Sequence, residues 1–133
     1  MNWRTTAAPS LEDLDALARA AFAQFPAPFR RLCGDVVIHI AEFAEDDTLA
    51  ELGLEDPFEL TGLYEGVDIT RQSIGDVARA PNHVHLYRQP ILAEWIDRGD
   101  IALGDLIRHV LAHEIGHHFG LSDEDIERIE AAD

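Results

Sequence analysis

Apolar residues recur at helical spacing near the start of the chain. Ser10 and Asp13 have the spacing of a capping box, in which a hydroxyl and a carboxylate bind backbone N–H groups at a helix start. Pro26 and Pro28 then end the pattern, because proline interrupts a helix beyond its first turn. We therefore expect a packing helix over residues 10–25. Its apolar face comprises Leu11, Leu14, Leu17, Ala18, Ala21, Phe22 and Phe25.

Three short segments in the middle of the chain have the pattern of β-strands. Residues 35–41 are rich in β-branched side chains and apolar enough for the middle of a sheet. Residues 62–66 have glycine at both ends, and residues 83–87 alternate between apolar and polar. Between the first two segments we expect at most one short helix, near residues 47–52. The histidines of these segments are interpreted as ordinary sheet residues, namely His39 and the more solvent-exposed His83 and His85.

Helical patterns return after the third strand segment. Pro90 suits a first helical turn, residues 91–98 follow, and Gly99 ends this helix. Asp100 is then the expected cap of a longer helix over residues 101–118. This longer helix carries the residues on which the functional prediction depends.

Glycine and a second capping-box spacing mark the last element. Gly120 breaks the preceding pattern, and Ser122 with Asp125 predicts a final helix over residues 122–131. In order, the elements are a helix, a small sheet and three further helices. The fold class is therefore α+β, and the length fits a single domain over residues 1–133.

The expected helix of residues 101–118 contains the motif H-E-x-x-H, formed by His113, Glu114 and His117. Side chains four residues apart project from one face of a helix, so both imidazoles can bind one Zn²⁺ ion. Glu114 lies about 100° further round the helix and need not bind the metal. It is instead placed to act as the catalytic base on a water molecule that zinc activates.

A third metal ligand is expected downstream of the motif. Gly120 allows the chain to reverse sharply after the helix, because glycine adopts the left-handed conformation at no steric cost. Asp123 follows three residues later and is the best candidate for the third ligand. It can equally favour the first turn of the last helix through the helix dipole. The remaining alternatives are Glu124, Glu127 and Glu130, which lie on that helix.

Two further histidines flank the motif. His118 is about 140° from His113 around the helix and is expected to face elsewhere. His109 falls one turn before His113 on the same stripe, whereas two turns separate it from His117. One ion cannot be held by all three imidazoles, so His109 is interpreted either as a neighbour that lines the cleft or as a surface residue.

The charge balance restricts the partners. Asp and Glu total 26 against 10 Lys and Arg, which gives a formal net charge of −16. Such a surface repels phosphate backbones and anionic lipids, so we expect neither nucleic-acid nor membrane partners. The acidity serves solubility or favours basic substrates, and the sequence leaves both open.

Cys33 is the only cysteine and is expected to be a buried thiol. The N-terminus has no signal-peptide pattern, so we expect a cytoplasmic protein.

The stretch 113–123 resembles the H-E-x-x-H-x-x-G-x-x-(H/D) signature of metzincin-like proteases in its Asp-ended form. More broadly, residues 30–130 resemble the minimal zincin-like metallopeptidases, a family of small bacterial proteins, on the segments 62–66, 86–91 and 113–123. The only methionine is Met1, so the methionine turn of metzincins is not expected. The resemblance implies a mixed sheet of three to four strands packed on the metal-binding helix, with four to five helices in all.

The resemblance also implies a function. It maps the metal ligands onto His113, His117 and Asp123, for one zinc ion, with Glu114 as base. A peptide or protein substrate would pair with a sheet edge, offered by residues 62–66 or 83–87. The candidates for stabilising the oxyanion are Tyr64, Tyr87, His85 and His118. Two alternatives remain, a hydrolase of other small amides or esters and a binding module that recruits a basic partner. The oligomeric state stays open.

Overall fold

The computed structural model describes residues 2–66 and 82–131. Within these ranges the chain forms helices, a three-stranded sheet and one turn of 3₁₀-helix at Pro57–Glu59. The six helices are α1 (Leu11–Ala23), α2 (Ala27–Cys33), α3 (Asp46–Glu51), α4 (Arg88–Arg98), α5 (Leu103–His118) and α6 (Asp123–Ala131). The strands are β1 (Val36–Ala41), β2 (Gly62–Glu65) and β3 (Asn82–Tyr87). The predicted α+β class with a small mixed sheet is confirmed.

The sheet has the order β1-β3-β2. β1 runs parallel to β3, with Val36 opposite Asn82, and β2 runs antiparallel to β3, with Gly62 opposite Leu86. β3 therefore lies at the centre of the described sheet. The prediction that residues 35–41 lie in the middle was wrong for the part of the chain that the structure describes, where β1 is at an edge of the sheet. Val36, Ile38 and Ile40 pack in the main core on the face that α1 contacts, whereas Val37 on the other face is exposed.

The two faces of the sheet belong to different apolar clusters. On one face Val84 and Leu86 of β3 are fully buried in the main core, together with side chains of α1 and α5. On the other face Tyr87 packs with Ala44 and Leu49 of the segment around α3. α5 thus lies across the face that carries Val84 and Leu86, in contact with both β2 and β3.

A second helix directly after α1 was not predicted. Pro26 and Pro28 end α1 as expected, but they also stand at the start of α2, where proline is tolerated because the first N–H groups have no helical partner. Cys33 at the end of α2 is buried, and its S–H donates to the carbonyl of Phe29 at 3.2 Å. Burial raises the pKa of this thiol to about 12, so the expected buried thiol is confirmed.

The helix starts agree with the sequence in one case and differ in another. At α1, Ser10 Oγ accepts from the N–H of Asp13 at 3.1 Å, and the Asp13 carboxylate accepts from the N–H of Ser10 at 2.8 Å. The predicted capping box is confirmed. At α5 the cap position is Ala102, which offers no side-chain bond. The prediction of Asp100 as the cap was wrong, because this residue lies upstream of the point where the helix begins.

No helix in residues 2–66 and 82–131 combines the length and the apolar character needed to cross a bilayer.

Candidate metal centre

α5 separates an apolar face from a row of histidines. Its apolar residues, among them Leu106, Ile107, Leu111 and Ile115, are fully buried in the main core. His109, His113 and His117 follow one another at four-residue spacing on a different face. The ring centroids are 4.1 Å apart between His109 and His113, and 5.4 Å apart between His113 and His117. The three imidazoles therefore form a continuous row along α5.

The turn after α5 brings α6 back along this row. Gly120 has a φ of 72°, the left-handed conformation expected at this position. Its N–H donates to the carbonyl of His117 at 3.1 Å, and the N–H of Leu121 donates to that of Gly116 at 2.9 Å. The reversal predicted from Gly120 is confirmed. It delivers Asp123, at the start of α6, to the end of the row.

Gly116 lets the two helices approach closely. A Cβ atom at this position would lie 2.5 Å from Cγ1 of Ile126 and 2.8 Å from its Cδ1, far inside ordinary contact. Ile126 is fully buried against α5 at this point. The contact therefore fixes the distance between α5 and α6, and with it the position of the carboxylates on α6.

The two motif histidines and Asp123 form a compact group. Oδ1 of Asp123 lies 3.3 Å from Nε2 of His117, and one ligand atom from each of the three residues lies within 4.8 Å of the others. Ligands bound tetrahedrally at 2.0–2.1 Å stand about 3.3 Å apart, so the distance between His117 and Asp123 is already that of two zinc ligands. His117 and Asp123 are 56% and 81% exposed, which leaves an open side for water and substrate.

The surroundings of the His113 imidazole favour its neutral form. Burial lowers its pKa, and the adjacent His109 lowers it further, whereas the carboxylate of Glu130 acts in the opposite direction. Neutral imidazole is the form that binds metal. The electrostatic environment of His113 is therefore suited to a metal ligand.

Glu114 lies apart from the row of histidines, between α5 and the edge strand β2. A Cβ atom on Gly62 would be 3.3 Å from Cγ of Glu114, so glycine at this position leaves room for the glutamate side chain. Burial raises the pKa of the Glu114 carboxyl above its ordinary value, and His117 partly offsets this. This location agrees with the expectation that Glu114 is not itself a ligand. Its role as base stays a prediction.

A comparison with protein families bears directly on this arrangement. The family model described as zincin-like metallopeptidase matches residues 33–132. The chain belongs to this family. The resemblance drawn from the motif is thereby confirmed, and the family name implies a metal-dependent hydrolase. No curated protein matches the sequence.

In this zincin-like protein, α6 carries a second carboxylate that faces the row. Oε1 of Glu130 lies 2.8 Å from Nδ1 of His109 and 3.0 Å from Nε2 of His113. His109 lies beside the motif histidines, which is one of the two interpretations that the sequence left open. The sequence named Glu130 only as one of several alternatives. In the sequence, Glu130 could have been recognised by its seven-residue interval from Asp123, because residues seven positions apart lie on the same helix face after two turns.

The other residues singled out from the sequence lie elsewhere in this zincin-like domain. His118 faces away from the row, as expected, and its ring lies 4.4 Å from the buried ring of Tyr64. His85 stacks on His39 at 4.7 Å and pairs with Glu65 at 3.2 Å. Nε2 of His39 and Nδ1 of His83 are 2.9 Å apart, so these sheet histidines bind one another.

Tyr87 belongs to the cluster on the sheet face opposite α5, beside Ala44 and Leu49. Among the described residues, His85 does not join the groups of candidate metal ligands. The residue that would stabilise an oxyanion therefore stays a prediction among the four candidates.

Proposed function

We propose that the protein is a zinc-dependent peptidase in which His113, His117 and Asp123 hold one zinc ion and Glu114 acts as general base. The observation that carries the proposal is the placement of Glu114. The three candidate ligands converge on one side of α5, while Glu114 lies on another side, next to β2. A carboxylate beside a ligand group, but not part of it, is what a hydrolytic site requires.

Zinc, when bound, polarises a carbonyl group and lowers the pKa of a bound water to about 7. The chain supplies the proton transfers. The carboxylate of Glu114 takes a proton from the attacking water and later gives it to the departing amine nitrogen. Burial raises the pKa of Glu114, which brings this group closer to the pH at which a general base works best.

The substrate site follows from the order of the strands. β3 lies between β1 and β2, so the expectation that residues 83–87 offer an edge was wrong. β2 is at the edge of the described sheet and lies beside Glu114 at Gly62. We propose that an extended peptide pairs with β2 through backbone hydrogen bonds, which would bring a peptide carbonyl towards the ligand group.

The acidic surface adds a preference for substrate charge. The formal net charge is −16, and Glu65 lies on β2 itself. Basic peptides would be attracted to this edge and acidic peptides repelled, an effect that salt screens. A peptide library compared with a panel of small amides and esters tests the proposed substrate class.

Replacement of Glu114 by glutamine tests the base. Glu114→Gln keeps the shape of the side chain but cannot accept a proton, so we expect zinc to stay bound and peptide turnover to fall by about 100-fold or more. Zinc content is measured by elemental analysis and turnover with the best peptide from the library. Asp125→Asn, at an exposed position of α6, is the control and should keep full turnover. Undiminished hydrolysis by purified Glu114→Gln would remove this residue from the mechanism.

A further inference from the structure

Two opposed rows of metal-binding side chains run along α5 and α6. The row on α5 consists of His109, His113 and His117, which span eight residues, or about 12 Å along the helix axis. The row on α6 consists of Asp123 and Glu130, which span seven residues, or about 10.5 Å. The rows match in length, and each carboxylate lies against the imidazoles. Side chains of the types that bind metal are therefore present beyond the first candidate group of His113, His117 and Asp123.

The second half of these rows has the dimensions of a metal site. A single oxygen of Glu130 lies 2.8 Å from Nδ1 of His109 and 3.0 Å from Nε2 of His113, and the three ligand atoms lie within 4.8 Å of one another. Tetrahedral zinc ligands stand about 3.3 Å apart, so these two nitrogen–oxygen distances are within a few tenths of an ångström of those around a bound ion. Two imidazoles and a carboxylate suit Zn²⁺ and Co²⁺.

This group is better enclosed than the group that contains Asp123. The side chains of His109, His113 and Glu130 are 34%, 25% and 23% exposed, whereas Asp123 is 81% exposed. The backbone at Glu130 is also held in place, because Arg108 donates to its carbonyl at 2.9 Å and to that of Ile129 at 3.3 Å. The second group is therefore positioned by contacts that do not involve a metal.

We propose that His109, His113 and Glu130 form a second metal position, which competes with the position of His113, His117 and Asp123 for the shared His113. Nε2 of His113 faces Glu130. A ring nitrogen binds only one metal ion at a time, so Nε2 cannot serve both positions at once. An ion in the second position thus takes His113 away from His117 and Asp123 and lies one helical turn further along α5. In this second position the metal has no part in hydrolysis. The inference depends on the proposed function only for the first position, that of His113, His117 and Asp123.

The test removes the first position and asks whether metal binding survives. We expect the double variant His117→Gln/Asp123→Asn to bind one equivalent of Co²⁺, detected by the visible absorption of the bound ion. Adding Glu130→Gln to this variant removes a ligand and should weaken Co²⁺ binding by at least about 100-fold. Adding Asp125→Asn instead removes the same charge from an exposed position on a different face of α6 and should change the affinity less than about 2-fold.

The outcomes separate this inference from the proposed function. Equal Co²⁺ affinities of the double variant with and without Glu130→Gln would overturn the second position and leave the first untouched. A wild-type protein that binds no zinc would overturn both. Far-UV circular dichroism checks that each variant is folded.

Single variants provide a measurement that does not depend on the folding of multiple variants. Glu130→Gln in the wild-type background should change the Co²⁺ absorption spectrum at one equivalent, because the ion then occupies the first position alone. Asp125→Asn should give the wild-type spectrum. A Glu130→Gln spectrum identical to that of the wild type would also overturn the second position.

Discussion

At the scale of single residues, Glu114 is distinguished from the histidines beside it by where its side chain lies. The imidazoles of His113 and His117 reach towards α6, whereas the carboxylate is half-buried beside Gly62 of β2. Burial raises its pKa, so the folded protein disfavours the ionised form of this group. The position that suits a general base therefore costs the metal-free protein some stability near neutral pH.

This cost predicts a pH-dependent effect of Glu114→Gln on stability. The folded-state pKa lies above the unfolded one, so Glu114 destabilises the fold increasingly as the pH rises through these two values. In chelator-treated protein, Glu114→Gln should raise the free energy of unfolding at pH 7 and change it less at pH 4. Urea unfolding at both pH values measures this difference. A stabilisation that is larger at pH 4 than at pH 7 would contradict the assigned burial effect.

The sequence predicts the relative positions of His113, Glu114 and His117 well, because a helix fixes the angles between its own side chains. It does not predict which carboxylate of α6 meets which imidazole. That depends on how closely α6 packs on α5, and the distance is determined by the contact between Gly116 and Ile126. For this reason Glu130 was only one alternative among several, and the position of His109 was undecided.

At the scale of elements, α5 and α6 act as a pair joined by a short turn. Gly120 determines the reversal, and Gly116 determines the separation of the helices. Asp123 and Glu130 keep their places against the histidines only while this separation is maintained. A change in the packing of the two helices should therefore affect stability and metal binding together.

Gly116→Ala tests this dependence. The added methyl group would overlap the side chain of Ile126, so we expect a loss of about 1–3 kcal/mol in stability and weaker zinc binding. Gly104→Ala is the matched control on the same helix, because a Cβ there makes an ordinary contact of 3.6 Å with Leu17. Its stability should be unchanged or higher by up to about 1 kcal/mol. Thermal unfolding and zinc titration of both variants measure these effects. Normal zinc affinity in Gly116→Ala would show that the helix separation does not position the ligands.

The elements that the sequence failed to predict have physical explanations. Prolines that end one helix can begin the next, which is how α2 was overlooked after Pro26 and Pro28. The apolar composition of β1 indicated a central strand, but β1 lies at an edge of the described sheet, and packing against the neighbouring helix α1 buries one of its faces. Local patterns reveal how much apolar surface must be covered, and the tertiary fold decides what covers it.

At the scale of the whole molecule, the charge is the dominant property. A formal net charge of −16 produces repulsion among the acidic side chains, and the ion pairs among the described residues are mostly at the surface, where they contribute little. These surface pairs offset little of the repulsion. Added salt screens the repulsion between charges spread over the molecule. The acidity is therefore expected to affect stability as well as the proposed preference for basic substrates.

Salt should therefore stabilise the protein. We expect the urea midpoint of the metal-free protein to rise between 20 mM and 500 mM NaCl, because the Debye length falls to a few ångströms and the repulsion weakens. The same salts should reduce the preference for basic over acidic peptides. A midpoint that falls with added NaCl would mean that attractive surface pairs, rather than net repulsion, dominate the electrostatic energy.

The placement of Gly62 has a consequence for how such a protein can change over evolution. All the candidate ligands lie on one helical hairpin of neighbouring residues, whereas the proposed base depends on a contact with a strand far away in sequence. Under the proposed function, mutations in β2 would therefore abolish hydrolysis and leave the ion in place. A descendant altered in this way would store or carry zinc, and its signature motif would remain intact after the chemistry had gone.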